Sequence, residues 1–343
     1  MKLRNQETNN LDEIEQKEIV EEKRAAKKTR KKMETSSKSD LKLKSGRLIE
    51  IMSNYKCLVM IDGEMKICLL SGRLKQLNLE TRNLVAVGDY VNIDLAADET
   101  RIEEIFPRVN SLSRFADDVF QNEIVIAANL DQVVITSSLF EPELNLGLVD
   151  RYLCAAGIAE IKPIICVNKI DLATDQSILE QELAYYRRVG MDIILTSAFT
   201  GEGIEELRAV LTNRETVFSG HSGTGKTSLI NKLQPGLDLK VAKVSEFSGK
   251  GMHTTTSSKL ILWDFGGYLV DTPGIKTFGL HKNDKALIPR IFPGFQGYFP
   301  FCRYSDCTHT HEEKCAVKEA VENDSIPSER YESYLRIMQS LTG

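Results

Sequence analysis

One eight-residue stretch constrains this chain more than any other: GHSGTGKT at residues 220–227. It lies between ETVFSG, an apolar run that reads as a strand, and KTSLINKLQ, which has helical spacing. Strand, glycine-rich loop and helix in that order form a phosphate-binding P-loop. Gly220, Gly223 and Gly225 let backbone N–H groups turn inward around phosphate, and the helix N-terminus adds the positive end of its dipole. His221, Ser222, Thr224 and Ser228 complete the loop and first turn. Lys226 is placed to neutralise β- and γ-phosphates and to assist their chemistry, and Thr227 to offer a hydroxyl to Mg²⁺. A P-loop alone does not choose between adenine and guanine nucleotides.

Three shorter motifs complete the site, and two of them make that choice. NKID, residues 168–171, follows the buried run KPIICV. The Asp171 carboxylate can accept two hydrogen bonds from guanine N1–H and the exocyclic amine, a donor pair that adenine lacks. Asn168 can steady the base edge and its loop, and the stem of Lys169 can lie over the ring. TSA, residues 196–198, ends another strand, and a backbone N–H around Ser197 and Ala198 can meet guanine O6. DTPG, residues 271–274, ends a third. There Asp271 can hold Mg²⁺ through water, and the Gly274 N–H can sense the γ-phosphate. Each motif is short, but all four sit at strand ends, where parallel sheets bind ligands.

Their order is unusual. In Ras-like GTPases the P-loop comes first, whereas here NKID and TSA precede it. A circular permutation accounts for this: the same sheet, cut and rejoined elsewhere, still gathers the four loops around one nucleotide. Between the P-loop and DTPG lies GKGMHTTTSS, in which Thr254, Thr255 and Thr256 are candidate switch residues for Mg²⁺ and the γ-phosphate. Thr255 is favoured. Ile275 follows Gly274, where Ras-type enzymes carry a water-orienting Gln, so unaided hydrolysis should be slow. His253, or a group brought by a partner, is the candidate replacement.

The rest of the chain divides around this region. Residues 1–42 read as a disordered charged tail, with seven bases in the decapeptide KRAAKKTRKK. Residues 43–110 hold five short β-like runs broken by Asp62-Gly63, Gly72 and Gly88-Asp89, which suggests a small OB-type barrel, with an SH3-like barrel as the alternative. Tyr55 and Tyr90 are the only aromatics in that stretch before Phe106, so no stacking platform for nucleic acid is visible. Residues 111–280 form the nucleotide domain, and from about residue 124 they alternate strand and helix as a mainly parallel sheet requires. Residues 281–343 carry Cys302-x4-Cys307-x-His309-x5-Cys315 and helices. Three thiolates and one imidazole at short spacing suit one structural Zn²⁺, with His309 preferred over His311 because Cys-x-His draws both ligands from one tight loop. Cys57, Cys68, Cys154 and Cys166 lie in apolar runs and read as core residues.

The net charge of −5 is not the global signature of a nucleic-acid binder. No apolar run approaches the ~18–20 residues of a membrane span, and no apolar signal region is visible, so the expectation is a cytoplasmic protein without membrane contact. A monomer is expected.

The barrel, the permuted nucleotide domain and the Cys₃His unit together resemble the RsgA (YjeQ/YloQ) family of bacterial small-subunit assembly GTPases. VAVGDYV, NKIDL, TSA, GHSGTGKTSLIN, the HTTT run, DTPGIKTFGL and the Cys/His cluster with its trailing RYESYL carry the resemblance, over roughly residues 45–343. It implies an OB-fold, weak GTP hydrolysis to GDP and phosphate stimulated by the 30S subunit, and action late in that subunit's maturation on 16S rRNA. It also implies guanine selection by Asn168, Lys169 and Asp171, switch and metal roles for Thr255 and Asp271, zinc on Cys302, Cys307, His309 and Cys315, and His253 as the switch histidine. His221 and Thr224 depart from the Gln and Val that the resemblance leads one to expect. Two other readings compete. One is an RNA-binding adaptor that uses nucleotide structurally; the other is a small-molecule kinase, against which NKID argues.

Overall fold

The computed structural model describes residues 43–52, 56–75, 83–95, 99–115, 123–237, 258–271 and 279–342. The charged tail 1–42, His253, Thr254, Thr255, Thr256, Gly274 and Ile275 lie outside the described residues.

The first unit is a closed five-stranded barrel. β1 (Leu43–Ile51) pairs antiparallel with β2 (Lys56–Ile61), and β2 with β3 (Glu64–Leu70). β3 then runs parallel to β5 (Arg101–Ile105), β5 antiparallel to β4 (Tyr90–Asp94), and β4 returns to β1. The order 1-2-3-5-4-1 is that of an OB barrel and excludes the SH3-like alternative. Alternation does the sorting: Cys57, Val59, Cys68, Leu70, Val91, Ile93 and Ile102 point inward and are buried. A one-turn helix, α1 (Gly72–Lys75), leaves β3. Arg47 lies over the Tyr90 ring at 3.9 Å, so the one described aromatic of the barrel strands is covered by a cation.

A hairpin, β6 (Ser111–Phe115) with β7 (Glu123–Ala128), leads into the second unit. The alternating pattern read from the sequence starts near residue 124 and does not reveal this hairpin.

The second unit is a sheet in the order β10-β9-β8-β11-β13-β12. β8 (Gln132–Ser138), β9 (Lys162–Asn168), β10 (Asp192–Leu195), β11 (Arg214–Ser219) and β13 (Gly267–Asp271) are parallel, and β12 (Lys259–Leu262) is antiparallel at the edge. β8 and β9 are almost continuously buried, as Val/Ile-rich strands covered on both faces must be. The covering helices are α2 (Leu146–Ile158), α3 (Gln176–Arg188), α4 (Ile204–Leu211) and α5 (Lys226–Leu233). Asn145 and Asp175 cap α2 and α3, each accepting a backbone N–H. The barrel joins this sheet through the Glu50–Lys259 register and the Arg47–Glu215 ion pair.

The third unit contains α6 (Ile288–Ile291), α7 (Ala316–Glu322) and α8 (Ser328–Ser340). Its core of Phe292, Phe295, Tyr334, Ile337 and Met338 also takes in Cys154 of α2 and Tyr185 of α3. α8 therefore packs on its own unit and on the sheet domain at once. The junction is polar at its centre. Asp150 of α2, fully buried, accepts from the Tyr186 hydroxyl at 2.6 Å and from Arg330 Nη1 of α8 at 2.8 Å. Removing one partner of such a pair strands the other in a low dielectric. Arg330→Met is expected to cost about 3 kcal/mol in chemical denaturation. A loss near zero would show that water reaches Asp150. Among the described residues no helix is long and apolar enough to cross a membrane.

Candidate nucleotide-binding site and metal centre

The four motif loops emerge from the C-terminal ends of β9, β10, β11 and β13, on one edge of the parallel sheet. The P-loop turns between β11 and α5. Gly220 has φ 140°, and a Cβ there would stand 2.0 Å from the Thr136 carbonyl oxygen; at Gly225, with φ 89°, it would stand 2.2 Å from Asn168 Nδ2. Neither position tolerates a side chain. Lys226 Nζ donates to the carbonyls of Gly220 and His221 at 2.6 and 2.7 Å, which holds the amine over the loop. Burial pushes the Lys226 amine below its usual range. Asp271, at the end of β13, is pushed the other way: burial raises its carboxyl, against the pull of Lys259 across the strand pair. Both shifts disfavour charge, and a Mg²⁺–phosphate group offers the opposite charge to each.

Asn168 ties the base loops to the phosphate loop. It is buried, its Nδ2 donates to Thr224 O at 3.0 Å, and its Oδ1 accepts from Ala198 N–H at 3.1 Å and Thr196 Oγ1 at 3.4 Å. The N–H of Ala198 is thus spent on Asn168, not turned outward. Ser197 Oγ donates to Asp171 Oδ1, while the Asp171 side chain stays exposed and keeps acceptor capacity. Lys169 sits at φ 63° and its amine donates to the Glu141 carbonyl. Beside the P-loop lies a cavity of about 140 Å³, bounded by Thr136, Pro142, Asn145 and Tyr152 together with His221 and Thr224. The two P-loop departures from the expected pattern therefore share one cavity.

The second cluster is built on the loops around α6 and α7. The ligand atoms of Cys302, Cys307, His309 and Cys315 all lie within 4.8 Å of one another. Cys302 Sγ stands 3.9 Å from Cys315 Sγ and 3.6 Å from His309 Nδ1, and His309 Nδ1 stands 3.3 Å from Cys315 Sγ. A tetrahedral zinc ion with ordinary bond lengths needs edges of about 3.8 Å between sulfurs and about 3.6 Å between nitrogen and sulfur. The donor set fits. The other imidazole nitrogen, Nε2, is 3.2 Å from Pro289 O, a carbonyl placed to accept a hydrogen bond from Nε2–H and so leave Nδ1 for the metal. Tyr331 and Tyr334 of α8 donate to the carbonyls of His309 and Thr308 and hold the ligand turn, in which His309 has φ 55°. His311 is exposed and stands apart, bonded to Thr310.

A family model described as RsgA GTPase matches residues 105–281, a span holding all four nucleotide motifs. The chain belongs to the RsgA GTPase family. A Chlorobaculum parvum protein named small ribosomal subunit biogenesis GTPase RsgA is 44% identical over 271 residues, 76% of this chain and 87% of that protein. Its Haemophilus influenzae namesake is 40% identical over 279 residues, 79% of this chain and 80% of that one. Among solved structures, YjeQ from Thermotoga maritima aligns at a TM-score of 0.71 and 32% identity, over 88% of this chain and 99% of that one. YloQ, described as a circularly permuted GTPase, aligns at 0.65 and 28% identity, over 87% and 95%.

As an RsgA-family member the chain is a P-loop GTP hydrolase with permuted motif order. The structure brings together Asn168, Lys169, Asp171, Ser197, Ala198, residues 220–228 and Asp271, and separately the four metal-cluster residues. Gly274, Thr255 and His253 fall outside the described residues. Thr136 and Glu141 also shape the RsgA nucleotide loops, and no sequence motif marks them. Their position at or just beyond strand C-termini was the available signal.

Proposed function

We propose that this GTPase acts in assembly of the small ribosomal subunit: it hydrolyses GTP to GDP and phosphate, is stimulated by the 30S subunit, and works late in maturation on a surface that includes 16S rRNA. The relatives named above support the ribosomal part. The nucleotide part is carried by one observation, the Asn168–Thr224 hydrogen bond that joins base loop to phosphate loop. In this reading Asp171 selects guanine, Asn168 and Lys169 support it, and Ser197 and Ala198 hold the base loop. The P-loop N–H groups of residues 220–228 and Lys226 stabilise charge as water attacks the γ-phosphate in line. Thr227, Asp271 and Thr255 would supply the oxygen donors for Mg²⁺, which would neutralise phosphate charge there.

His253 or a group from the ribosome orients the water, since Ile275 cannot. Zinc on Cys302, Cys307, His309 and Cys315 is structural, because four protein ligands leave no open position. The functional units are residues 43–110, 111–280 and 281–343, and the protein acts as a cytoplasmic monomer.

The test is phosphate release from GTP and from ATP, with and without purified small subunits, at matched salt. GTP-specific release rising on the order of 10²-fold or more with subunits is the expected result. GTP binding without stimulated release would favour the adaptor reading that Ile275 motivates, and release from ATP would favour a kinase.

A further inference from the structure

Helix α2 begins against α8 with its positive end uncompensated. It runs for 13 residues and has no acid in its first turn. The N–H groups of Leu146 and Gly147 precede any helical acceptor, and the dipole adds partial positive charge there. Asn145, the cap, takes the Leu148 N–H. A helix start alone is no site, because water can solvate it.

The wall opposite makes the difference. A cavity of about 420 Å³ opens between α2 and α8, and two arginines, Arg151 and Arg336, line it with no acid among them. Ser333 of α8 lines it too, is 1% exposed, and has a hydroxyl with no hydrogen-bond partner among the described residues. That hydroxyl lies beside the Asp150 carboxylate but outside hydrogen-bonding geometry, and Arg330 Nη1 already donates to Asp150 at 2.8 Å. A buried hydroxyl without a partner is costly, and rotation about one bond turns its proton toward the cavity.

Gly147 brings these groups to one point. A Cβ there would stand 3.4 Å from Ser333 Oγ and 3.9 Å from Arg336 Nη2. Glycine weakens a helix, and no positive φ requires it at this position. Its missing side chain leaves room for an acceptor between the backbone N–H, the hydroxyl and the guanidinium. Arg336 otherwise pairs with Glu332 at 3.5 Å, both side chains being exposed, which is a weak, solvent-screened contact. Arg151 gives Nη1 to Ser340 Oγ at 2.8 Å and keeps its charge.

We propose that this junction is an oxyanion site that takes a phosphate group, held by the Gly147 N–H, Ser333 Oγ and the guanidinium groups of Arg336 and Arg151. A tetrahedral anion accepts from several directions at once, which this donor set requires. Asn145 and Leu148 wall both this cavity and the one beside the P-loop. A bound phosphate therefore ties α8 of the third unit to the helix start that borders the nucleotide loops.

The test uses the full chain with GDP and Mg²⁺ saturating, so that the P-loop is filled. Inorganic phosphate is titrated at constant ionic strength against chloride, and hydrogen exchange is followed in α2 and α8. Phosphate is expected to slow exchange saturably in the first turn of α2 and in α8. Arg336→Gln should weaken that response about 10-fold. Gly147→Ala sets a methyl in the site while favouring the helix. It should lose the phosphate response with an unchanged or raised thermal midpoint, which a purely structural glycine would not do. A short single-stranded RNA forms the second arm, because its backbone presents the same group. A response to RNA and not to inorganic phosphate, weakened by both variants, assigns the site to a nucleic-acid phosphate. The proposal is overturned if phosphate and RNA act no differently from matched chloride, or if both variants respond as the unaltered chain does.

Discussion

Asp171→Asn is expected to weaken GTP binding by roughly 10²–10³-fold and to confer binding of xanthosine triphosphate. The carboxylate can accept from N1–H and from the exocyclic amine of guanine together, and hydrogen bonds to a charged partner are worth about 1.5–3 kcal/mol each. The carboxamide keeps one acceptor and turns a donor toward the amine, a mismatch with guanine and a match with the carbonyl of xanthine. The Asp171 side chain is exposed, so the fold should survive, and an unchanged thermal midpoint would separate lost recognition from lost structure. Titration with both nucleotides is the measurement; GTP affinity within a factor of about two of the unaltered chain would remove the base-recognition role.

Cys307→Ser is expected to release the metal and unfold the C-terminal unit. Cys307 is only 2% exposed, and burial pushes its thiol up to about 12, so a dication bound in the cluster would be what makes this sulfur a thiolate. A structural zinc site contributes about 10 kcal/mol or more of apparent binding free energy, which is folding free energy for the loops it ties together. Metal content should fall from one per chain to none, and hydrogen exchange should accelerate over residues 288–340. Protection should also weaken in α2 and α3, because Cys154 and Tyr185 share a core with Phe292 and Tyr334. A metal-free variant with full protection would show that the aromatic core suffices and that the cluster is incidental.

One helix, α2, runs from the junction below this cluster to the cavity beside the P-loop. α2 carries Asp150 toward Arg330, and the N-terminal turn of the same helix contributes Leu148 to the cavity beside His221 and Thr224. Arg330→Met therefore tests more than stability: GDP affinity measured on the same variant reports whether strain at the junction reaches the P-loop.

Much of the site was legible because its chemistry is local. A P-loop is specified by glycines that must adopt positive φ, and by a lysine and threonine that open the next helix, all within eight residues. NKID and the Cys/His cluster are likewise short, with spacing set by one tight turn. The barrel was legible as five alternating runs, and its SH3-like rival could be removed only by the parallel pairing of β3 with β5. That pairing follows from chain closure, which no local pattern encodes.

From the sequence alone came the nucleotide class, the permuted motif order and the four metal-cluster residues, since each depends on neighbouring residues and their backbone freedom. The tertiary structure alone decided what couples them. Asn168 meets Thr224 across 56 residues and Asp150 meets Arg330 across 180. Contacts at such separations are selected by the packing of whole helices and strands, because a buried donor or charge must find its partner wherever the fold delivers one.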